Sequence, residues 1–201
     1  GRAIAGRVVD DRGVGVAGMK VASQRKSIVG GVDIQRFTTD EAAVTDESGN
    51  FRLGGLEGGT TTIRVTGPAH TTVTLPNVET DTNNVELRVE RLGAIHGVLV
   101  TADGTPVVGS RVTANTQSKA SGAIQLAEDV AEFEMPGPSV TTDEQGKFVL
   151  DSVKPGMVTV KARGKAHLPV AHSGVQVRAA QTVRGMRLVA DAGAIARIRV
   201  A

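Results

Sequence analysis

The chain repeats itself, and that constrains it more than any other feature. Ala3-Ile4-Ala5-Gly6-Arg7-Val8-Val9 aligns with Ala94-Ile95-His96-Gly97-Val98-Leu99-Val100 at an offset of 91. Gly18-Met19-Lys20-Val21 aligns with Gly109-Ser110-Arg111-Val112 at the same offset. Further on, Thr45-Asp46-Glu47-Ser48-Gly49-Asn50-Phe51 matches Thr142-Asp143-Glu144-Gln145-Gly146-Lys147-Phe148 at an offset of 97, and Gly67-Pro68-Ala69-His70 matches Gly164-Lys165-Ala166-His167 at that offset too. One insertion of six residues, between about residues 113 and 140, reconciles the two offsets. The four Phe also pair off, Phe37 with Phe133 and Phe51 with Phe148. A period near 100 residues is the size of a domain that holds its own core. The 201 residues therefore read as two homologous domains, 1–91 and 92–190. Gly193-Ala194-Ile195 repeats Gly93-Ala94-Ile95, so 191–201 is expected to add a strand to the second domain or to open a truncated third copy.

Within each copy the apolar period is two. Val85, Leu87 and Val89 alternate with Glu86, Arg88 and Glu90, and Phe51 shares a face with Leu53 as Phe148 does with Leu150. Thr61 to Val65 and Val158 to Ala162 alternate in the same way. Such alternation marks strands with one buried face. Turn residues punctuate them at Asp11-Arg12-Gly13, Ser48-Gly49-Asn50, Asp103-Gly104, Gln145-Gly146 and Lys154-Pro155-Gly156. No long amphipathic helix is legible. Many short strands in units of about 100 residues predict an all-β fold, two tandem antiparallel β-sandwich domains of about seven strands each.

The motif order carries a family resemblance. Each copy has a first strand (Ile4 to Val9; Ile95 to Val100), then a second (Val16 to Val21; Val107 to Val112). A Thr-Asp-Glu-x-Gly-x-Phe block follows, and then a segment ending in Gly (Leu56 to Gly67; Val153 to Gly164). This order resembles the carboxypeptidase regulatory-like domains, a transthyretin-like or Ig-like β-sandwich. The resemblance implies a bacterial secreted or surface protein in which such domains serve as non-catalytic modules.

Composition closes several routes. Cysteine is absent, which removes disulfides, thiol catalysis and Cys-based zinc sites. Tryptophan and tyrosine are absent too, so the stacking platforms of most sugar and single-strand nucleic-acid binders are missing, and no nucleic-acid partner is expected. No apolar run reaches the length of a membrane span. The carboxylates of Asp46-Glu47 and Asp143-Glu144 read as turn residues rather than calcium ligands, because Asn50 becomes the cation Lys147 in the second copy. His70 and His167 read as satisfied strand-edge residues, since zinc needs three or four ligands. His172-Ser173 has no acidic partner in a recognisable triad. Lys20 stands on a strand where a Lys–Asn cross-link could begin, but its counterpart Arg111 cannot react that way. No catalytic residue, cofactor or metal is expected.

What remains is surface. Residues 161–201 hold eight basic residues against Asp191, and within them Lys161, Arg163, Lys165, Arg184 and Arg187 form a candidate basic patch for an acidic partner such as an anionic glycan. Outward residues of alternating strands account for the same charges. The connection before the Thr-Asp-Glu block is long in both copies, 25–42 and 116–139. In the first copy it carries Arg25, Lys26, Arg36 and Phe37; in the second, Glu128, Asp129, Glu132, Phe133 and Glu134. Equivalent loops of opposite charge suit head-to-tail contact between neighbouring copies; a hairpin extending two strands, with its Phe packed on its own sandwich, is the alternative. The short linker Arg91-Leu92-Gly93 favours a semi-rigid rod. The chain opens on Gly1 and is expected to be part of a longer exported protein, at the periplasm or cell surface. Its expected role is structural or adhesive, presenting the long loops to a protein partner. A carbohydrate-binding module and an accessory domain of an enzyme elsewhere in the protein are the alternatives.

Overall fold

The structure is a computed structural model, and it describes residues 1–29, 32–37, 42–116 and 137–191. The chain divides into two units, Gly1–Arg91 and Leu92–Ala201. No helix occurs among the described residues.

The first unit contains β1 (Arg2–Val9), β2 (Lys20–Val29), β3 (Val32–Phe37), β4 (Ala43–Val44), β5 (Asn50–Leu56), β6 (Thr60–Thr66), β7 (Val73–Glu79) and β8 (Val85–Arg88). One sheet has the order β5-β1-β8; the other runs β3-β2-β6-β7, with β4 also paired to β2. The second unit contains β9 (Gly93–Thr101), β10 (Arg111–Thr116), β11 (Ser139–Thr141), β12 (Lys147–Val153), β13 (Gly156–Arg163), β14 (Val170–Val177) and β15 (Thr182–Ala190). Its sheets have the orders β12-β9-β15 and β11-β10-β13-β14. Over the described residues the two units share one topology, and in the first β3 pairs with the far end of β2. Among the described residues every ladder between strands is antiparallel except two. The last strand of each unit returns beside the first in parallel, β8 along β1 and β15 along β9. A parallel partner requires a crossover, and each unit makes it by passing to the other sheet before coming back.

The cores follow the alternation. Ile4, Val8, Phe51, Leu53, Ile63, Val65 and Leu87 are buried together in the first unit. Ile95, Leu99, Phe148, Leu150, Val160 and Leu188 are buried together in the second. The second strand of each copy starts later than the pattern predicts, at Lys20 and Arg111 rather than at Val16 and Val107. The reason is Gly18 and its equivalent Gly109, whose φ of 73° and 72° breaks the extended backbone.

The Thr-Asp-Glu-x-Gly block is a folding device, built twice. Thr45 is buried; its hydroxyl donates to the Val16 carbonyl at 2.7 Å and accepts from the Met19 N–H at 2.9 Å. Asp46 Oδ1 accepts from the backbone N–H groups of Ser48 and Asn50 at 2.9 and 2.8 Å, closing an Asx-type turn. Thr142 and Asp143 repeat these bonds with Val107, Ser110, Gln145 and Lys147. The turn glycines adopt φ of 81° (Gly49) and 69° (Gly146), and a Cβ at Gly49 would lie 2.3 Å from the Val8 carbonyl oxygen.

These turns predict how acid acts on the protein. The Asn50 N–H, and then its side-chain amide, hold the Asp46 carboxyl below the usual carboxylate range. The Val14 N–H does the same for Asp10, and the Thr101 and Thr105 hydroxyls for Asp103. A carboxyl whose folded pKa is depressed stabilises the fold above its unfolded value of about 3.9, and that stabilisation disappears as pH falls through the folded value. Melting temperatures should therefore hold steady from neutral pH to about 5 and decline below about 4. Asp46→Asn should flatten the decline of the first unit's transition. An unchanged acid slope in that variant would show that Asp46 takes no part.

Candidate interaction surfaces

The structure places the residues singled out in the sequence on separate surfaces. Lys161 and Arg163 lie on β13, alternating with buried Val158, Val160 and Ala162, and Lys165 follows in the turn. Arg184 and Arg187 lie on β15, in the other sheet of the same sandwich. The basic residues therefore divide between two sheets. Charge counting along the chain could not show this, because it does not reveal that β13 and β15 belong to different sheets.

The first long connection is a hairpin in its backbone. β2 and β3 pair from Gln24↔Phe37 to Val29↔Val32. Arg25, Lys26 and Arg36 lie on these paired strands; their side chains are outside the described part of the structure. Phe37 is half-buried, and the guanidinium of Arg64 on β6 sits over its ring, 3.8 Å from the centroid. This is cation–π geometry. The buried Arg64 Nε has no hydrogen-bond partner among the described residues, and stacking on the ring accounts for its loss of water. Phe37 is thus packed on its own sandwich. In the second copy, Glu128, Asp129, Glu132, Phe133 and Glu134 all lie outside the described residues, as does 192–201, where the extra strand or third copy was expected.

The histidines are held by neighbours. His70 Nδ1 is 2.8 Å from the Pro68 carbonyl oxygen. His167 is buried between the Ser110 hydroxyl, 2.8 Å from its Nε2, and the Leu168 carbonyl, 2.6 Å from its Nδ1. Ser110 is only 1 % exposed, so its hydroxyl is sealed from any substrate and the pair serves packing. Among the described residues, no three His, Asp or Glu side chains are gathered so as to hold a metal ion. Lys20 is exposed on β2, away from the dry surroundings a Lys–Asn cross-link requires.

A surface the one-dimensional reading missed lies on the outer face of the β5-β1-β8 sheet. Arg52, Arg7 and Arg88 run across it from strand to strand. Arg7 Nε donates to the Ser48 carbonyl at 2.8 Å, and Arg88 Nε pairs with Glu86 at 3.0 Å. Beside Arg7 lies a shallow depression lined by Asn50, Asn83, Asn84 and Glu86. The available signal was the outward set of the strands, which becomes a row only when their register is known.

Residues 94–189, almost the whole described second unit, match the carboxypeptidase regulatory-like domain family. The second unit is a carboxypeptidase regulatory-like domain. The first unit repeats its strand order and its Thr-Asp-Glu turn. Among solved structures, the chain is similar to GBS52, the minor pilin of the Gram-positive pathogen Streptococcus agalactiae. Identity is 12%, the TM-score 0.51, and the match covers 100% of both chains. At that identity the likeness shows a shared fold. The Bacillus anthracis TIE protein matches at 12% identity and a TM-score of 0.39, over 95% of this chain and 34% of that one, so the chain spans about a third of its length. The shaft pilin SpaA from Lactobacillus rhamnosus GG matches at 11% identity and a TM-score of 0.37, with 98% of each chain covered. No curated protein matches the sequence. No helix long and apolar enough to cross a membrane occurs among the described residues.

Proposed function

We propose that this chain is a non-catalytic structural and interaction segment of a larger exported or cell-surface protein. Its two sandwiches act as spacers, and its long connections meet a protein partner. The observation that carries this reading is the fate of the polar groups that could do chemistry. The duplicated carboxylates are spent on backbone N–H groups of turns, and the buried Ser110–His167 pair is closed to solvent. Two sandwiches with one topology are what a spacer requires, and the fold shared with a minor pilin is in keeping with it. The acidic connection 116–139 differs most between the copies, and binding residues gather on loops held by a rigid scaffold.

The test replaces 118–136 with a short Gly-containing hairpin, or reverses Glu128, Asp129, Glu132 and Glu134 to Lys. Pull-down of the native partner at two salt concentrations should fall to background in both variants while circular dichroism stays that of the parent. Binding at the parental level by the loop-deleted protein would sink the role of this connection.

A further inference from the structure

The two copies differ sharply on one surface. On the outer face of β5-β1-β8 in the first unit, the register sets Arg52 against Ala5, Arg7 at the centre, and Arg88 against Val9. In the second unit the same ladder positions hold Val149 against His96, Val98 at the centre, and Val189 against Val100. Three arginines on one sandwich are three valines on the other. Val149 and Val189 are 44 % and 45 % exposed, and Val98 is half-buried between them. Diagonal neighbours on adjacent strands stand about 7–8 Å apart, so the three form one aliphatic stripe across the sheet. Lys147 and Arg187 flank Val98 on either side in its own row. Arg184 adds a cation on β15, and Asp151, on β12, is the acid on this face.

An outward sheet face needs no valines for folding, since the first unit folds with arginines there. The cations beside the stripe select its occupant. Packing this face on its own copy would oppose Lys147 and Arg187 to like charges. An aliphatic segment rich in carboxylates fits instead, and the chain contains one. Between β10 and β11 it carries Ile124, Leu126, Val130 and Phe133 among Glu128, Asp129, Glu132 and Glu134.

We propose that the stripe of Val98, Val149 and Val189 docks residues 124–134 of a second copy of this chain. The proposal rests on the acidic connection being an interaction element, and it adds the surface that receives it. Sedimentation of the full chain at about 200 µM tests it, a concentration at which even a contact with a Kd of about 100 µM is substantially populated. The wild type should self-associate, and the association should weaken as salt rises from about 0.05 to 0.5 M. Val98→Arg/Val149→Arg/Val189→Arg installs the residues the first unit already tolerates. It should weaken association at least about tenfold, because three aliphatic groups leave a buried contact, and it should lower the melt modestly, because the new cation at position 98 faces Lys147 and Arg187. If that variant unfolds, Val149→Ser/Val189→Ser should show the same direction.

Reversing the four acids should also abolish association. Mixing the arginine variant, which keeps its segment, with the acid-reversed variant, which keeps its stripe, should restore a complex of one to one. A monomeric wild type overturns the proposal, as does undiminished association of the arginine variant or failure of the mixture. If only the acid-reversed variant dissociates, the stripe is refuted and the acidic connection stands. If only the arginine variant dissociates, the connection is refuted.

Discussion

Phe51→Ala is expected to destabilise the first unit by about 3–5 kcal/mol, and Phe148→Ala the second by a similar amount, because each leaves a ring-sized cavity in a small core. Phe51 and Phe148 are 5 % and 2 % exposed. Each faces a glycine across the ladder, Gly6↔Phe51 and Gly97↔Phe148. An aromatic ring laid over a glycine on the neighbouring strand fills the space its missing side chain leaves. In the second unit a Cβ on Gly97 would come within 2.5 Å of the Phe148 ring. The cavity cannot be refilled by a neighbour on that strand, which keeps the cost near the top of the range. Calorimetry of each variant should show one transition lowered and the other close to its parental temperature. Equal lowering of both transitions, or a loss below about 1 kcal/mol, would show that these rings are not the centres of separate cores.

Gly6→Ala should cost about 3 kcal/mol, an effect of overpacking rather than of a cavity. The added Cβ would sit 2.1 Å from the Val85 carbonyl oxygen, a backbone atom of the parallel strand β8. Relief requires β1 and β8 to separate, which breaks the ladder from Gly6↔Val85 to Val9↔Arg88. Gly97→Ala meets the Met186 carbonyl at 2.6 Å and should act in the same direction. Gly54→Ala is the control: on β5, nothing lies within 4 Å of its added Cβ. Urea denaturation of the three variants checks this. Comparable losses at Gly54 and Gly6 would mean that glycine entropy, not the approach of β8, sets the cost.

Much of this protein was legible without coordinates. The repeat fixes two units of one topology because homologous sequences fold alike, and alternation of period two exposes strand faces because successive side chains point to opposite sides of a sheet. Ile4, Val8, Phe51 and Leu53, with Ile95, Leu99, Phe148 and Leu150, could be named as core on that ground, and all are buried. The Thr-Asp-Glu turn could be read as structural because Asn50 and Lys147 occupy one position, and the backbone bonds of Asp46 and Asp143 bear that out.

What the sequence could not decide is which strands become neighbours. Sheet order and register are set by long-range packing and carry no local mark. Parallel pairing of β1 with β8 joins residues some 80 positions apart, and nothing in Val85 to Arg88 announces it. The division of Lys161 and Arg163 from Arg184 and Arg187 depends on that order, as do the arginine row of one sandwich and the valine stripe of the other. Hydrophobic alternation told, from the residues alone, which side chains face outward. Only the tertiary structure set those outward side chains beside one another, because a surface is made by strands that are distant in the chain and adjacent in the sheet.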